Sequence, residues 1–153
     1  MKLINYARQS ISRKDIASVV KVLKSDYLTQ GPYIKLFSQN IKKFSKSKNC
    51  ILFNSATSAL HAACLSLGIN SKSSLWTSSN SFISSATCGL MCGSKVDFVD
   101  IDPQTFNMSP EILETKLKKS KKKPDVIVVV HFAGLPCEMS DFKYLSKKYE
   151  FKI

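Results

Sequence analysis

Arginine is nearly missing from a strongly basic sequence. Arg8 and Arg13 are the only two among 23 basic side chains, which face 11 acidic ones for a net charge of +12. Recognition of nucleic acid favours arginines that reach base edges, or basic residues interleaved with stacking aromatics. The densest basic run, Lys116–Lys123, has neither. It falls between a helix pattern and a strand pattern and reads as a solvated helix end plus loop, with cations favoured at a helix C-terminus. No nucleic-acid partner is expected.

Long apolar runs are also lacking. Nothing approaches the ~20 uninterrupted apolar residues of a membrane span. The opening Met1-Lys2-Leu3-Ile4-Asn5-Tyr6-Ala7-Arg8 has no apolar stretch and small-residue cleavage site of a secretory signal. A cytoplasmic protein without a membrane partner is expected. The five cysteines, Cys50, Cys64, Cys88, Cys92 and Cys137, are odd in number and contain no C-x-x-C pair. That argues against a disulfide framework and a zinc knuckle. Cys88 and Cys92 share a helical face, but with no histidine pair beside them no metal site is expected. Neither G-x-G-x-x-G nor G-x-x-x-x-G-K-[ST] occurs, so a dinucleotide fingerprint and a Walker loop are absent.

What remains is a chain of 153 residues, 44% apolar and 10% aromatic, with five glycines and five prolines. That suits one globular domain with a core and excludes a disordered tail. Ser12-Arg13-Lys14-Asp15 is a capping-box variant, with Ile11 and Ile16 placed as a hydrophobic staple. The spacing predicts a helix to about Ser25 burying Ile16, Val19, Val20 and Leu23. Leu28-Thr29-Gln30-Gly31-Pro32 breaks it, and a second helix from about Tyr33 carries Ile34, Phe37, Ile41 and Phe44 on one face.

Strands and helices then alternate. Strands are predicted at Cys50–Phe53, Leu75–Thr77, Lys95–Val99 and Asp125–His131, with a last one beginning at Phe151. Helices are predicted at Thr57–Leu67 closed by Gly68, at Ile83–Met91 closed by Gly93, and after the cap Ser109-Pro110-Glu111. A final helix runs from the cap Ser140-Asp141 to about Tyr149. The unbroken apolarity of Val126–Val130 suits a strand covered on both faces. The fold class is α/β: a three-layer arrangement with a mainly parallel sheet, preceded by two helices. Residues 1–48 form the N-terminal helical segment and 49–153 an incomplete large domain, the front part of something longer.

Two segments carry chemistry. Phe53-Asn54-Ser55-Ala56-Thr57-Ser58-Ala59-Leu60-His61 runs a strand through a tight polar turn into a helix, whose first N–H groups and the hydroxyls of Thr57 and Ser58 offer an anion site. Simple capping by Ser55 or Thr57 is the competing reading. Thr77-Ser78-Ser79-Asn80-Ser81-Phe82 follows the next strand, where Phe82 either packs in the core or lies flat over a planar heterocycle. His131 ends the valine-rich strand at the ligand edge, in a packing or hydrogen-bonding role or in contact with ligand, and His61 reads as structural. Asp97, Asp100 and Asp102, with Pro103 behind them, mark a turn rather than a metal site.

Taken together, five ordered motifs carry a resemblance. They are Leu28-Thr29-Gln30-Gly31, Asn54–Leu60, Trp76-Thr77 with Ser81-Phe82, Val96–Pro103, and Val130-His131-Phe132-Ala133-Gly134. Their order is similar to that of the DegT/StrS-type sugar aminotransferases, and most similar to the branch acting in pseudaminic acid biosynthesis. The family uses pyridoxal 5'-phosphate (PLP) on the aspartate-aminotransferase fold, PLP fold type I, so the resemblance implies its large domain, truncated. It also implies that Thr57 and Ser58 hold the cofactor phosphate and that Phe82 stacks on the pyridine ring. Tyr6, Asp26, Tyr27, Leu28, Thr29 and Ala56 match positions lining the nucleotide-sugar pocket. The implied reaction moves an amino group, from glutamate in most members, to the 4-keto carbon of a UDP-linked deoxysugar. The implied assembly is a homodimer of the complete chain. The carboxylate for the pyridine nitrogen and the Schiff-base lysine follow later in the family's pattern, and neither lies within these 153 residues. No catalytic residue is therefore assigned here, and the chain alone is expected to be inactive. A sugar dehydratase of the same family, with histidine in place of that lysine, stays open, as does a non-catalytic module binding phosphate or polyanions.

Overall fold

The computed structural model describes residues 7–153, so Tyr6 lies outside the described residues. The chain divides into two compact units, one ending at Leu52 and the other spanning Phe53–Ile153.

In the first unit, α1 (Arg13–Leu23) starts on the expected capping box. The Ser12 hydroxyl accepts the Asp15 N–H at 3.3 Å, and the Asp15 carboxylate accepts the Ser12 N–H at 2.7 Å. The second helix, α2 (Pro32–Ser45), takes its proline in the first turn, where the missing N–H costs nothing. The expected burial fails in both helices. Ile16, Val19, Val20 and Leu23 of α1, and Ile34, Phe37, Ile41 and Phe44 of α2, are exposed, Phe44 by 89%. Amphipathic spacing fixes which face is apolar, not whether anything covers it. Cys50–Phe53 is a second correction. It forms no ladder among the described residues, and its one long-range bond within the unit runs from the Ser38 hydroxyl to the Cys50 carbonyl at 3.1 Å. A strand exists only where a neighbour takes its N–H and C=O groups.

The second unit is the α/β body. Its sheet has the order β2-β1-β3, all parallel, with β1 (Ser74–Ser78) central, β2 (Lys95–Val99) on one side and β3 (Val126–Val128) on the other. Leu75 lies opposite Val96 and Val126, and Trp76 opposite Asp97 and Ile127. Beyond β3 the last residues begin a further strand with one parallel bridge, Val126 to Lys152. The Ile127 N–H donates to the Lys152 carbonyl at 2.8 Å, and the Lys152 N–H to Asp125 at 2.9 Å. The predicted strand Asp125–His131 is shorter than its valines suggest, because pairing stops at Val128. Burial is complete only at Val126 and Ile127.

Period-two alternation sends the strands' side chains into two cores. Leu75 and Val126, with Val96 and Val128 beside them, meet Cys64 and Cys88 from α3 (Ala56–Ser66) and α4 (Ser84–Met91). Trp76, Val99 and Ile127 meet Leu113 and Leu117 of α5 (Pro110–Lys119) and Phe142 and Leu145 of α6 (Met139–Tyr149). Helices thus cover both faces, and the three-layer parallel arrangement stands.

Several ends follow the local chemistry. At the end of α3 the Ile69 N–H reaches back to the Cys64 carbonyl at 3.1 Å and Gly68 to Leu65 at 3.0 Å, a closure that needs the positive φ of +77° at Gly68. Ser109 caps α5 through the Ile112 N–H at 3.2 Å. The expected cap at Ser140-Asp141 is wrong: α6 begins two residues earlier, after Glu138, and no side chain caps it. Gly89 lets α4 lie on β1. A Cβ there would sit 2.8 Å from the Ser94 hydroxyl and 2.9 Å from Leu75 Cδ1.

Candidate functional site

The connections leave the sheet in opposite senses. After β1 the chain crosses to β2 by way of α4, on the Leu75 face; after β3 it returns through α6, on the Trp76 face. Adjacent parallel strands whose exits diverge leave a crevice at their carboxyl ends, where open α/β sheets bind ligands. Here that crevice is bounded by Ser79–Phe82 after β1 and by Val129–His131 after β3.

The N-terminus of α3 belongs to the same edge. The helix packs beside α4 and returns to the amino end of β1 through Gly68–Ser73, so it runs antiparallel to that strand. Its cap is Ser55, whose hydroxyl accepts the Ser58 N–H at 3.1 Å. The Ser58 hydroxyl lies 2.9 Å from that of Ser55 and donates to Asn54 Oδ1 at 3.2 Å. Among the described residues, the N–H groups of Ala56 and Thr57 and the Thr57 hydroxyl take no hydrogen-bond partner. Two free amides at the positive end of an 11-residue helix, with two hydroxyls beside them, fit a phosphate group. Capping and anion binding are therefore compatible: Ser55 satisfies one amide and leaves two.

Across the crevice floor, Thr77 is fully buried and donates to the Val128 carbonyl at 3.0 Å, tying β1 to β3 just before both strands end. The Ser78 hydroxyl accepts the Asn80 N–H at 3.2 Å, and Ser81 pairs with Ser85 at 2.7 Å. Phe82 is 74% exposed, which removes the core reading and leaves its ring face free on the ligand edge. Its carbonyl accepts the Ser85 N–H at 3.0 Å, so the winding of α4 begins at this residue.

The site also contains a residue that the sequence did not single out. Buried Asn107 accepts the Phe132 N–H at 2.8 Å and donates to the Leu135 carbonyl at 3.0 Å, while its own carbonyl accepts Asp102 N–H at 2.9 Å. It knits the segment before α5 to the turn after β3. Its partners lie 25 and 28 positions away, and no local pattern announces them. His131 sits in that turn, where its Nδ1 accepts the Cys137 N–H at 3.1 Å.

Asp102 accepts the N–H groups of Gln104 and Thr105 and the Thr105 hydroxyl at 2.8–3.0 Å, as a turn residue should. These bonds, led by Thr105, hold its carboxyl below the ordinary range. The lysine run is less solvated than expected. Lys116 pairs with Asp97 at 2.7 Å, donates to the Phe98 carbonyl at 2.5 Å and lies 4.6 Å from the centre of the Trp76 ring. Burial pulls the Asp97 carboxyl upward, but bonds from Lys116 and the Phe98 N–H, with the Lys116 charge, bring it below the usual value. Lys123 binds the Leu117 and Ser120 carbonyls at the end of α5, as the dipole argument required.

In the first unit, Asp26, Tyr27, Leu28 and Thr29 form an exposed turn between α1 and α2. Gln30 takes a φ of +53°, and a Cβ on Gly31 would lie 2.9 Å from Tyr27 Cβ. The glycine of the Leu28-Thr29-Gln30-Gly31 motif is thus a steric requirement of this turn.

The profile of the DegT/DnrJ/EryC1/StrS aminotransferase family matches residues 9–153. The chain is 36% identical over 151 residues to the UDP-4-amino-4,6-dideoxy-N-acetyl-beta-L-altrosamine transaminase of Campylobacter jejuni, covering 99% of this chain and 40% of that protein. Among solved structures it is similar to Helicobacter pylori PseC, an aminotransferase involved in the biosynthesis of pseudoaminic acid. That likeness has a TM-score of 0.88 and 30% identity, over 98% of this chain and 40% of the other. An aminotransferase from Psychrobacter cryohalolentis matches with a TM-score of 0.84 and 28% identity, over 93% and 36% of the two chains. The chain spans about 40% of the length of the curated transaminases it matches.

Proposed function

The chain belongs to the DegT/DnrJ/EryC1/StrS aminotransferase family, and from that premise we propose that it is the N-terminal part of a PLP-dependent nucleotide-sugar aminotransferase. The complete protein transfers an amino group, from glutamate, to the 4-keto carbon of a UDP-linked deoxysugar, in surface-sugar biosynthesis of the pseudaminic acid type. It works in the cytoplasm as a homodimer. The carboxylate for the pyridine nitrogen and the Schiff-base lysine belong to the part of the family's pattern that follows these 153 residues.

The observation carrying this reading is the pair of free amides at the start of α3, on the edge where Phe82 presents its ring. Pyridoxal 5'-phosphate, the family's cofactor, supplies the electron sink for amino transfer. The chain's own residues would bind and orient it. The Ala56 and Thr57 amides take phosphate oxygens, the Thr57 and Ser58 hydroxyls complete the cradle, and Phe82 lies against the planar ring. Tyr6, Asp26, Tyr27, Leu28, Thr29 and Ala56 are the substrate-binding candidates, on the strength of the motifs that contain them.

Binding of pyridoxamine 5'-phosphate tests the cofactor part, because it needs no lysine. Titrated into the 153-residue chain, it should move the Thr57 and Ser58 amide resonances. Pyridoxamine lacking the phosphate should bind at least tenfold more weakly. Thr57→Val with Ser58→Ala should reduce the difference, the two main-chain amides keeping the rest. Equal binding of the two compounds would overturn the phosphate assignment.

A further inference from the structure

His131 lies three residues past the end of β3, at the carboxyl edge of the sheet and beside the crevice that the diverging β1 and β3 exits create. Its ring nitrogens are not equivalent. The main-chain N–H of Cys137 donates to Nδ1 at 3.1 Å, which requires the lone pair on that atom. The proton of the neutral imidazole is then on Nε2. Among the described residues Nε2 has no partner, and the residue is exposed. The anchor itself is firm. Cys137 is buried in the core beneath the Trp76 face, and its thiol donates to the Val130 carbonyl at 3.1 Å. Asn107 fixes the following turn through the Phe132 N–H. A main-chain donor on a buried residue thus selects one tautomer of an exposed histidine and leaves its N–H unspent at the ligand edge.

We infer that His131 is a ligand-facing hydrogen-bond donor, whose Nε2–H binds an oxygen of the molecule seated in the crevice between the β1 and β3 ends. Under the function proposed above, on which this inference rests, that molecule is the phosphorylated pyridine cofactor. The acceptor is one of its oxygens. Cys137 acts only as the positioning residue, through its main-chain N–H.

The test uses the 15N-labelled chain, in which His61 and His131 are the only histidines. Long-range nitrogen–proton correlations report the tautomer, and His131→Gln assigns the signals. Glutamine keeps an acceptor for Cys137 and a donor for the ligand; His131→Leu keeps neither. Expected are the Nε2–H form without ligand and a displaced Nε2 resonance on adding pyridoxamine 5'-phosphate. Affinity should fall about tenfold in His131→Leu and stay within about threefold in His131→Gln. The Cys137 amide and the general amide fingerprint show whether each variant is folded. A protonated Nδ1, or a ring averaging between both forms, overturns the inference. So does binding that moves the Thr57 and Ser58 amides but leaves His131 and the His131→Leu affinity untouched, in which case the cofactor reading survives. If neither His131 nor those amides respond, both fall together.

Discussion

Replacing Asn107 by alanine probes the knot that holds the ligand-edge turns together. The substitution removes two well-formed bonds, the one from the Phe132 N–H at 2.8 Å and the one to the Leu135 carbonyl at 3.0 Å. Each such bond contributes about 1 kcal/mol net, and an amide left without a partner costs about a further 1–3 kcal/mol. Phe132 is only half-buried, so water can reach its freed N–H and the low end applies. The expected loss is about 3 kcal/mol. Asn107→Asp separates the two bonds. It keeps an acceptor for Phe132 but turns a carboxylate oxygen toward the Leu135 and Pro136 carbonyls, and should cost at least as much as alanine. Urea unfolding followed by the fluorescence of Trp76, the single tryptophan, measures the total. Hydrogen exchange at the Phe132 amide measures the local part and should quicken by two orders of magnitude or about that. A loss under about 0.5 kcal/mol with unchanged exchange at Phe132 would refute the reasoning.

Further perturbations have definite outcomes. Gly89→Ala should destabilise by about 1–2 kcal/mol through overpacking against Ser94 and Leu75, despite alanine's better helix propensity. Ser94→Ala removes a buried hydroxyl that has no partner among the described residues and should be neutral or slightly stabilising. Made together, the two should cost less than their sum by about 0.5–1 kcal/mol in urea unfolding, and strict additivity would contradict the close contact. Lys148 and then Lys118 hold the Glu114 carboxyl down to about 2, from an ordinary 4.5. A lowered folded-state value contributes stability that is fully present above 4.5 and is lost as pH falls toward 2. Glu114→Gln should therefore flatten the acid limb of thermal unfolding across that window, and an unchanged limb would count against the pair. Burial first, then its neighbours Cys88 and Cys92, push the Cys64 thiol up to about 12. A thiol reagent at neutral pH should label half-exposed Cys50 before buried Cys64 and Cys88, and early loss of Cys64 would mean that α3 opens.

Local chemistry was the part most readable from the chain. The Ser12 and Ser109 caps, the Gly68 and Gly93 stops and the order of the helices and of the strands from β1 onward are set by residues within a turn of each other, and the structure places them as expected. The strand expected at Cys50–Phe53 was not readable in that way. Its apolar residues permit a strand, but a ladder needs a partner that the local sequence does not specify. The apolar stripes of α1 and α2 pose the same difficulty, since a pattern states a need for cover and not its presence. Lys116 misled in the opposite direction. Within a run of lysines it looks solvated, yet Trp76 and Asp97 reach it from strands far off in sequence.

The candidate site divides along the same line. Its candidate anion site is a helix N-terminus, a feature that a polar turn bearing serine and threonine ahead of a helix advertises, so Thr57 and Ser58 could be proposed from the sequence. Phe82 could be named as an alternative but not decided, because the choice between core and ligand depends on whether α4 turns that ring inward; the exposed ring excludes the core. His131 and Asn107 are different in kind. What makes the histidine a one-sided donor is a main-chain amide six residues on, presented by a buried cysteine. What fixes the turn around it is an asparagine 25 positions earlier. A substitution at Asn107 should therefore weaken ligand binding without touching the ligand, by loosening the turn that carries His131. The loss should track hydrogen exchange at Phe132 across Asn107→Ala and Asn107→Asp. If affinity holds while that amide loosens, His131 is held by Cys137 alone.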